Sequence, residues 1–164
     1  MKQLWAPWRM TYIDDTAEKK DEGCFFCRAW QEKGAERSTL LLTRSDNCLV
    51  MLNRYPYTSA HIMIAPARHI GVVEETTADE GGAIWSLVAR SKQALSKALS
   101  PDGFNIGINQ GKVAGAGVLD HLHVHIVPRW NGDVNFMPVF ADVRVIPQAL
   151  EETWEKLRPY FAEF

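Results

Sequence analysis

The sequence predicts an α+β fold: an antiparallel sheet of about five strands, one long helix and a C-terminal helix. Three short apolar segments in the first half of the chain follow one another with only turn-like residues between them, which is typical of an antiparallel meander. A stripe of apolar residues at helical spacing then extends from residue 78 to residue 100, which is too long for a strand. Strands and helices therefore occupy separate segments instead of alternating.

Each predicted strand is an apolar or alternating run bounded by turn-forming residues. Residues 44–47 separate the first two strands, and residues 54–57 precede the third. The glycine-rich segment 109–120 separates the fourth and fifth strands, and Pro128 is expected to end the fifth. The predicted strands cover residues 39–43, 48–52, 60–65, 104–108, 121–127 and 142–146.

Helix signals are clearest after residue 77. Thr77 and Glu80 fit a capping box at the start of the long helix, and residues 101–103 end it. A shorter helical turn is expected over residues 28–33, closed by Gly34. The C-terminal helix is expected to have a proline in its first turn and one apolar face. The residues concerned are Pro147, Leu150, Trp154 and Leu157.

The composition is that of an ordinary globular chain. It has 164 residues, of which 46% are hydrophobic and 23% charged, which is enough for one domain with a buried core. We therefore expect a single domain over residues 1–164, on which residues 1–22 pack as an N-terminal extension. The formal net charge is -2, and the sequence has no basic cluster to attract nucleic acid or an anionic membrane.

Two features of the sequence predict a cytosolic location. No apolar run is long enough to span a bilayer, and the N-terminal residues lack the apolar core of a secretory signal. The cysteines number three, and an odd count argues against a disulfide framework. Cys48 lies in an apolar run and is expected to be a small core residue, whereas Cys24 and Cys27 form a C-x-x-C pair.

Three of the five histidines alternate with aliphatic residues between positions 121 and 125. On a strand, His121, His123 and His125 would share one face, and the aliphatic residues would share the other. A solvated face seldom carries three residues of so scarce a type, so two interpretations stay open. Either the imidazoles bind a metal, although the outer two are separated by about 13 Å of backbone rise, or one imidazole is a nucleophile that its neighbours orient.

The segment before this strand favours phosphate binding. Residues 109–117 include Gly111, Gly115 and Gly117, and such a loop can present backbone N–H groups to an anion. Taken alone, the segment is equally compatible with a plain flexible connection. Its position directly before the histidines places donors beside a candidate nucleophile, which indicates chemistry at a phosphorus atom.

The run His121-Leu122-His123-Val124-His125-Ile126-Val127 resembles the signature of the histidine triad (HIT) superfamily of nucleotide hydrolases and transferases. Residues 52–61 look like the ribose-binding strand and turn of that family, and residues 107–117 look like its phosphate loop. The segments 4–13, 24–27 and 128–133 are similar to the bacterial diadenosine tetraphosphate phosphorylase branch. The resemblance covers nearly the whole chain.

The resemblance implies a HIT fold, usually a homodimer, and a dinucleoside polyphosphate substrate. His123 would attack the α-phosphorus and form a nucleotidyl-histidine, which inorganic phosphate or water then resolves. His125 and His61 would lie beside His123 and orient it, and Asn53 would bind the ribose hydroxyls. The residues implied in phosphate binding are Asn109, Lys112, Gly115, Ala116 and Gly117.

The C-x-x-C pair supplies two of the four ligands that a structural zinc needs. The pair is also found in redox motifs, but the βαβ context expected for those is missing, and it is compatible with two buried thiols. Some HIT proteins complete a zinc site with a histidine after the third strand and the first triad histidine. The resemblance thus implies a zinc site made of Cys24, Cys27, His69 and His121, which leaves His123 as the nucleophile.

One position departs from the family pattern. Many HIT proteins carry Ser or Thr just ahead of the triad, where this chain has Gly117. The missing hydroxyl bears on turnover and leaving-group preference, because a hydrogen bond to a charged group contributes roughly 1.5–3 kcal/mol. Two alternatives to a dinucleoside polyphosphate enzyme stay open: a nucleoside phosphoramidase that uses the same His123, and a nucleotide-binding HIT protein with little turnover.

Overall fold

A computed structural model of the chain describes residues 23–133, 148–162 and 164. Within these residues the strands are β1 (Leu41–Ser45), β2 (Cys48–Leu52), β3 (Ile62–Pro66), β4 (Gly103–Ile108) and β5 (Val124–Arg129). They form one five-stranded antiparallel sheet with the spatial order β1-β2-β3-β5-β4. The predicted antiparallel sheet, with a meander of three initial strands, is confirmed. The strand predicted at 142–146 and the extension 1–22 lie outside the described residues.

The described residues also form α1 (Phe25–Gln31), α2 (Glu36–Thr39), α3 (Ala78–Leu99) and α4 (Leu150–Leu157). The long helix α3 begins at the predicted capping box. The Thr77 hydroxyl accepts from the Glu80 N–H, and the Glu80 carboxylate accepts from the Thr77 N–H. α4 has the predicted apolar face, since Leu157 is buried and Leu150 and Trp154 pack against the same core. Among the described helices, none is long and apolar enough to cross a membrane.

Several predicted boundaries are wrong for local reasons. The turn predicted at 28–33 is α1, which begins at Phe25 and ends before Glu32, because Phe26 and Ala29 are buried against the sheet. β1 and β3 begin two residues later than predicted. The residues before them, Leu40 (φ 60°) and Ala60 (φ 58°), adopt a left-handed conformation that interrupts an extended chain.

The strand that carries the histidines differs at both ends from the predicted range 121–127. It begins only at Val124, because the Leu122 N–H donates to the carbonyl of Ile70 instead of entering the sheet ladder. It continues through Pro128, which was expected to end it. β3 pairs with β5 no further than Ile126, and the Pro128 carbonyl accepts from the Thr58 hydroxyl. A residue without an N–H is therefore tolerated at this place.

The sheet has two differently covered faces. One face packs under α3 and α4, and its core includes Val124 and Ile126, the aliphatic residues between and after the triad histidines. The other face carries Met63 and its partner His125, and a second apolar cluster there includes Phe26 and Ala29 of α1. The predicted division of the triad segment into an apolar face and a histidine face is confirmed for β5, and we call the second side the histidine face.

Candidate active site

Four imidazoles lie on the histidine face, and three of them, His61, His125 and His123, form a row. His61 precedes β3, His125 lies on β5, and His121 and His123 lie in the irregular segment just before β5. The ring centroids of His61 and His125 are 5.0 Å apart, and those of His125 and His123 are 4.8 Å apart. All four residues are buried, with relative exposures between 0% and 8%. The structure thus brings together the three residues to which the family resemblance gave catalytic roles.

His123 has a tautomer that its own hydrogen bond sets. Its Nδ1 lies 2.8 Å from the main-chain carbonyl of His121. A carbonyl only accepts, so Nδ1 carries the proton and Nε2 keeps its lone pair. Burial lowers the pKa of His123, which favours the neutral ring. A neutral imidazole with an available Nε2 lone pair is chemically a nucleophile.

The neighbouring histidines, His61 and His125, have the opposite tautomer, with the proton on Nε2. The Tyr57 N–H donates to Nδ1 of His61 over 3.1 Å, so the proton of His61 is on Nε2. That Nε2–H donates to Nδ1 of His125 over 2.9 Å, which places the proton of His125 on its own Nε2. In the part of the chain that the structure describes, this buried Nε2 atom has no hydrogen-bond partner.

The unpartnered donor of His125 is informative because burying an unsatisfied polar group costs about 1–3 kcal/mol. A protein tolerates such a cost where a ligand supplies the partner. The donor belongs to a ring whose centroid is 4.8 Å from that of His123. The histidine face therefore offers a lone pair and an N–H donor next to each other, which suits attack on a phosphoryl group and hydrogen bonding to one of its oxygens.

Asn53 lies beside this row, at the end of β2. Its Nδ2 atom is 3.3 Å from Nδ1 of His61, and its Oδ1 accepts from the Tyr55 N–H over 2.9 Å. The amide therefore also holds the turn that follows β2. The structure places Asn53 next to the histidines, as a ribose contact requires, while part of its hydrogen-bonding capacity serves the turn.

The glycine loop starts at the edge of the histidine row. The Asn109 side-chain amide lies 3.5 Å from the Tyr57 hydroxyl, and residues Lys112–Ala114 form a 3-10 turn. The N–H groups of Gly115 and Ala116 are engaged inside the loop, with the carbonyls of residues 112 and 111. Phosphate binding through these two N–H groups would require the loop to rearrange. Lys112 and Gly117 are exposed.

Tyr57 received no individual role from the sequence, although it occupies a central place. Its ring centroid lies 4.6 Å from that of His61 and 5.9 Å from that of His125. Its N–H sets the tautomer of His61, and its hydroxyl meets Asn109. The available signal was its position four residues before His61 in the ribose-like turn, but spacing alone does not show that a backbone N–H faces the imidazole.

A second cluster adjoins the histidine row. The ligand atoms of Cys24, Cys27, His69 and His121 all lie within 4.8 Å of one another. Nδ1 of His121 is 3.1 Å from the Cys24 sulfur, and Nδ1 of His69 is 3.2 Å from the Cys27 sulfur. A tetrahedral zinc with ordinary bond lengths separates a sulfur and a nitrogen ligand by about 3.6 Å. The four residues therefore have both the donor types and the spacing of a closed Cys₂His₂ site.

The proton on His121 is also set by its surroundings. Its Nε2 donates to the carbonyl of Pro66 over 2.8 Å, so the Nδ1 lone pair points at the thiols. Burial and the neighbouring Cys24 raise the pKa of Cys27 to about 11, so this thiol is protonated at neutral pH without a metal. Metal binding at these residues would release thiol protons.

Comparison with known proteins places these features in one family. The HIT domain model matches residues 35–132. The AP-4-A phosphorylase of Mycobacterium tuberculosis is 32% identical over 157 residues, which cover 93% of this chain and 80% of the relative. The adenylylsulfatase of Arabidopsis thaliana is 36% identical over 110 residues, which cover 67% of this chain and 54% of that protein.

A solved structure shares the fold over most of the chain. It is that of a Zn-bound histidine triad family protein from Mycobacterium smegmatis, with a TM-score of 0.67 and 28% sequence identity. The match covers 87% of this chain and 95% of that chain. The α+β architecture predicted from the sequence thus agrees with the crystal structure of a similar protein.

The burial of His125 predicts a pH-dependent stability. Burial and, secondly, repulsion from His123 when that ring is protonated lower the pKa of His125 to about 4. The unfolded chain therefore binds a proton that the folded chain does not, between pH 6.5 and pH 4. This contribution is fully present above pH 6.5 and is lost as the pH falls, by about 2 kcal/mol at pH 5. The side-chain oxygen of asparagine can still accept from His61, but asparagine does not titrate. We therefore expect the free energy of unfolding of His125→Asn to fall less than that of the parent as the pH is lowered.

The measurement is urea unfolding of both proteins at pH 7.5 and pH 5.0. Other titrating groups are common to the two proteins, so the difference between their declines isolates His125. An equal decline in the parent and in His125→Asn would contradict the assignment.

Proposed function

The chain belongs to the HIT domain family, and from this premise we propose that it cleaves dinucleoside polyphosphates through a nucleotidyl-histidine on His123. Two of its curated relatives are named as an AP-4-A phosphorylase and an adenylylsulfatase, and the chain is an enzyme of the same family. The relative from M. tuberculosis supports a diadenosine tetraphosphate phosphorylase. The observation that carries the proposal is the hydrogen-bond pattern that gives His123 and His125 opposite tautomers on rings whose centroids lie 4.8 Å apart.

In the proposed first step, the Nε2 lone pair of His123 bonds to the α-phosphorus, and the P–O bond to the leaving nucleotide breaks. The leaving oxygen takes the electron pair, and the His125 Nε2–H donates to an oxygen of the reacting group. The bond from His123 Nδ1–H to the His121 carbonyl stabilises the positive charge that develops on the ring. His61 acts through His125, whose donor it orients.

In the second step, an oxygen of the acceptor bonds to phosphorus, and the P–N bond breaks with its electrons returning to His123. With inorganic phosphate as acceptor, diadenosine tetraphosphate yields ATP in the first step and ADP in the second. Asn53 and the loop residues Asn109, Lys112 and 115–117 are proposed to hold the ribose and phosphates, which the contacts of Asn53 with His61 and of Asn109 with Tyr57 support. Gly117 offers no hydroxyl, so leaving-group contacts there rest on the main chain.

A second candidate function uses the same nucleophile with another leaving group. The A. thaliana relative, an adenylylsulfatase, favours cleavage of other adenylyl compounds. Nucleoside phosphoramidates belong to the same class, because attack of His123 on the α-phosphorus is common to all of them. A nucleotide-binding protein with little turnover is the remaining alternative, and the absence of a hydroxyl at Gly117 is the feature that favours it.

We expect diadenosine tetraphosphate to be converted to ADP and ATP only when inorganic phosphate is present.

His123→Gly should lose about 10⁴-fold or more in rate while it still binds nucleotide, since it removes the nucleophile and not the binding groups. Parent protein mixed with diadenosine tetraphosphate in the absence of phosphate, and denatured in alkali because acid cleaves a P–N bond to histidine, should carry one nucleotidyl group on His123, detected by mass spectrometry.

The products distinguish the alternatives. AMP and ATP formed without phosphate would identify water as the acceptor. Turnover of a phosphoramidate or an adenylyl sulfate alone would transfer the same mechanism to another substrate. Undiminished activity of His123→Gly would reject His123 as the nucleophile.

We propose that zinc occupies the cluster of Cys24, Cys27, His69 and His121. The spacing of these donors, and the Pro66 carbonyl that orients His121, support a closed structural site. The zinc-bound relative from M. smegmatis supports the choice of metal. Bound zinc would hold α1 against the segment that leads into β5, and it would contribute free energy of folding.

Metal analysis of protein purified without chelators should find close to one zinc per chain. Cys27→Ser should contain almost none, because it removes one ligand from an otherwise complete set. The matched control is Cys48→Ala, a thiol removed from the core of β2 away from the cluster. Equal zinc contents in Cys27→Ser and Cys48→Ala would exclude the site.

We also propose a homodimer that pairs through β4. Within the described sheet, β4 is an edge strand, and Ile106 and Ile108 on it are 38% and 40% exposed. An edge strand presents unpaired N–H and C=O groups, and exposed isoleucines beside them favour pairing with another strand. Two copies paired edge to edge would cover the isoleucines symmetrically.

We expect light scattering to give twice the chain mass for the parent protein and the chain mass for Ile106→Lys. A lysine on the edge strand opposes strand addition, because its charge would be buried between the copies. Val113→Lys serves as the control, since Val113 is fully exposed on the glycine loop. A dimer that persists in Ile106→Lys would place the interface elsewhere.

We propose that residues 1–164 form a single HIT domain, of which 1–22 are an N-terminal extension, and that the protein works in the cytosol. The family match over residues 35–132 supports a single domain. No disulfide links the described cysteines, which supports the cytosolic location.

A further inference from the structure

One hydrogen bond and the packing of two neighbouring rings set the orientation of the His123 ring. Its Nδ1–H donates to the His121 carbonyl. A single hydrogen bond is readily exchanged when a side chain rotates, and rotation of an imidazole by half a turn moves both nitrogens. Two rings flank His123: that of His125 at 4.8 Å, nearly perpendicular, and that of Phe26 at 5.1 Å with an interplanar angle of 38°.

Phe26 contacts both the nucleophile and the candidate metal site. Its ring centroid is 5.0 Å from that of His121 and 5.1 Å from that of His123. The residue is completely buried in the apolar cluster on the histidine face. Because protein interiors are close-packed, a ring in such a place restricts the rings that it touches.

The backbone of Phe26 is tied to the metal cluster. It stands between Cys24 and Cys27 in the first turn of α1, which has seven residues and no side-chain cap. A helix this short is not stable by itself, so its contacts decide where it lies. Its C-terminal end is held by Arg44, which donates to the carbonyls of Ala29 and Trp30. Its N-terminal end is held by the two thiols beside His69 and His121.

We propose that Phe26 is a positioning residue for His123, which keeps the imidazole in the orientation that directs Nε2 toward the substrate. The proposal rests on the nucleophilic role of His123 given above. It assigns the C-x-x-C turn a second purpose, because the turn that supplies two metal ligands also carries the ring that restrains the nucleophile. A ligand set alone would not require an aromatic residue at this position.

The test compares Phe26→Leu with Phe25→Leu. Both variants replace a phenylalanine of α1 by leucine, but the Phe25 ring stacks on Phe26, whereas the Phe26 ring touches His121 and His123. Phe26→Met is the second variant, since a flexible side chain fills the same volume if leucine perturbs folding. Zinc content and thermal unfolding are measured for each protein.

Two readouts decide the proposal. In two-bond ¹H–¹⁵N spectra, His123 of the parent should show one tautomer, with the proton on Nδ1, and both Phe26 variants should show a mixture. In single-turnover experiments with diadenosine tetraphosphate, transfer to His123 should slow by about 10- to 100-fold, as misplaced groups do. KM and zinc content should stay close to those of the parent, and Phe25→Leu should behave like the parent.

A single tautomer and an unchanged transfer rate in both Phe26 variants would overturn the proposal. A raised KM with an unchanged transfer rate would overturn it as well, because Phe26 would then contact the nucleotide. If the parent protein transfers no nucleotide, the proposed function fails, whereas the comparison of tautomers still decides whether Phe26 positions the ring.

Discussion

The hydrogen bond from His123 Nδ1 to the main-chain carbonyl of His121 is the interaction on which the candidate site depends. It gives Nε2 the lone pair that a nucleophile needs. It also belongs to an irregular segment, since β5 begins only at Val124. Because the chain is not a regular strand here, His121 turns to the cysteines while His123 and His125 stay together. The structure thus divides the three imidazoles between two neighbouring clusters, in agreement with the separation of the outer two along the chain.

Keeping several imidazoles neutral inside the protein has a thermodynamic consequence. Burial is the first cause that lowers the pKa of His121, His123 and His125. Each ring is therefore more basic in the unfolded chain, and acid favours unfolding. The unpartnered Nε2–H of His125 adds a further cost. Such a conflict between stability and local environment is typical of a functional site, where a bound ligand supplies the missing interaction.

The candidate active site and the exposed isoleucines of the proposed dimer edge lie on opposite faces of the sheet. The aliphatic residues of β5 pack under α3, whereas His125 faces the opposite side with Met63. Beyond β5, Gly107 of β4 pairs with His125, and no atom of the residues that the structure describes lies within 4 Å of where its side chain would be. As a glycine, Gly107 places no side chain against His125. The exposed isoleucines of β4 point to the helical side, so a partner strand would not cover the histidines.

Local patterns in the sequence determined the elements that depend on near neighbours. These include β2, the capping box of α3, the apolar alternation around the triad and the C-x-x-C pair. The roles of His61 and His69 came from family resemblance, because contacts across 64 and 42 residues leave no local signal. Tertiary structure alone decided the tautomers of the histidines, the start of β5 at Val124 and the position of Phe26 against the rings of His121 and His123. The reason is physical: a proton's position depends on which distant carbonyl or N–H faces the ring.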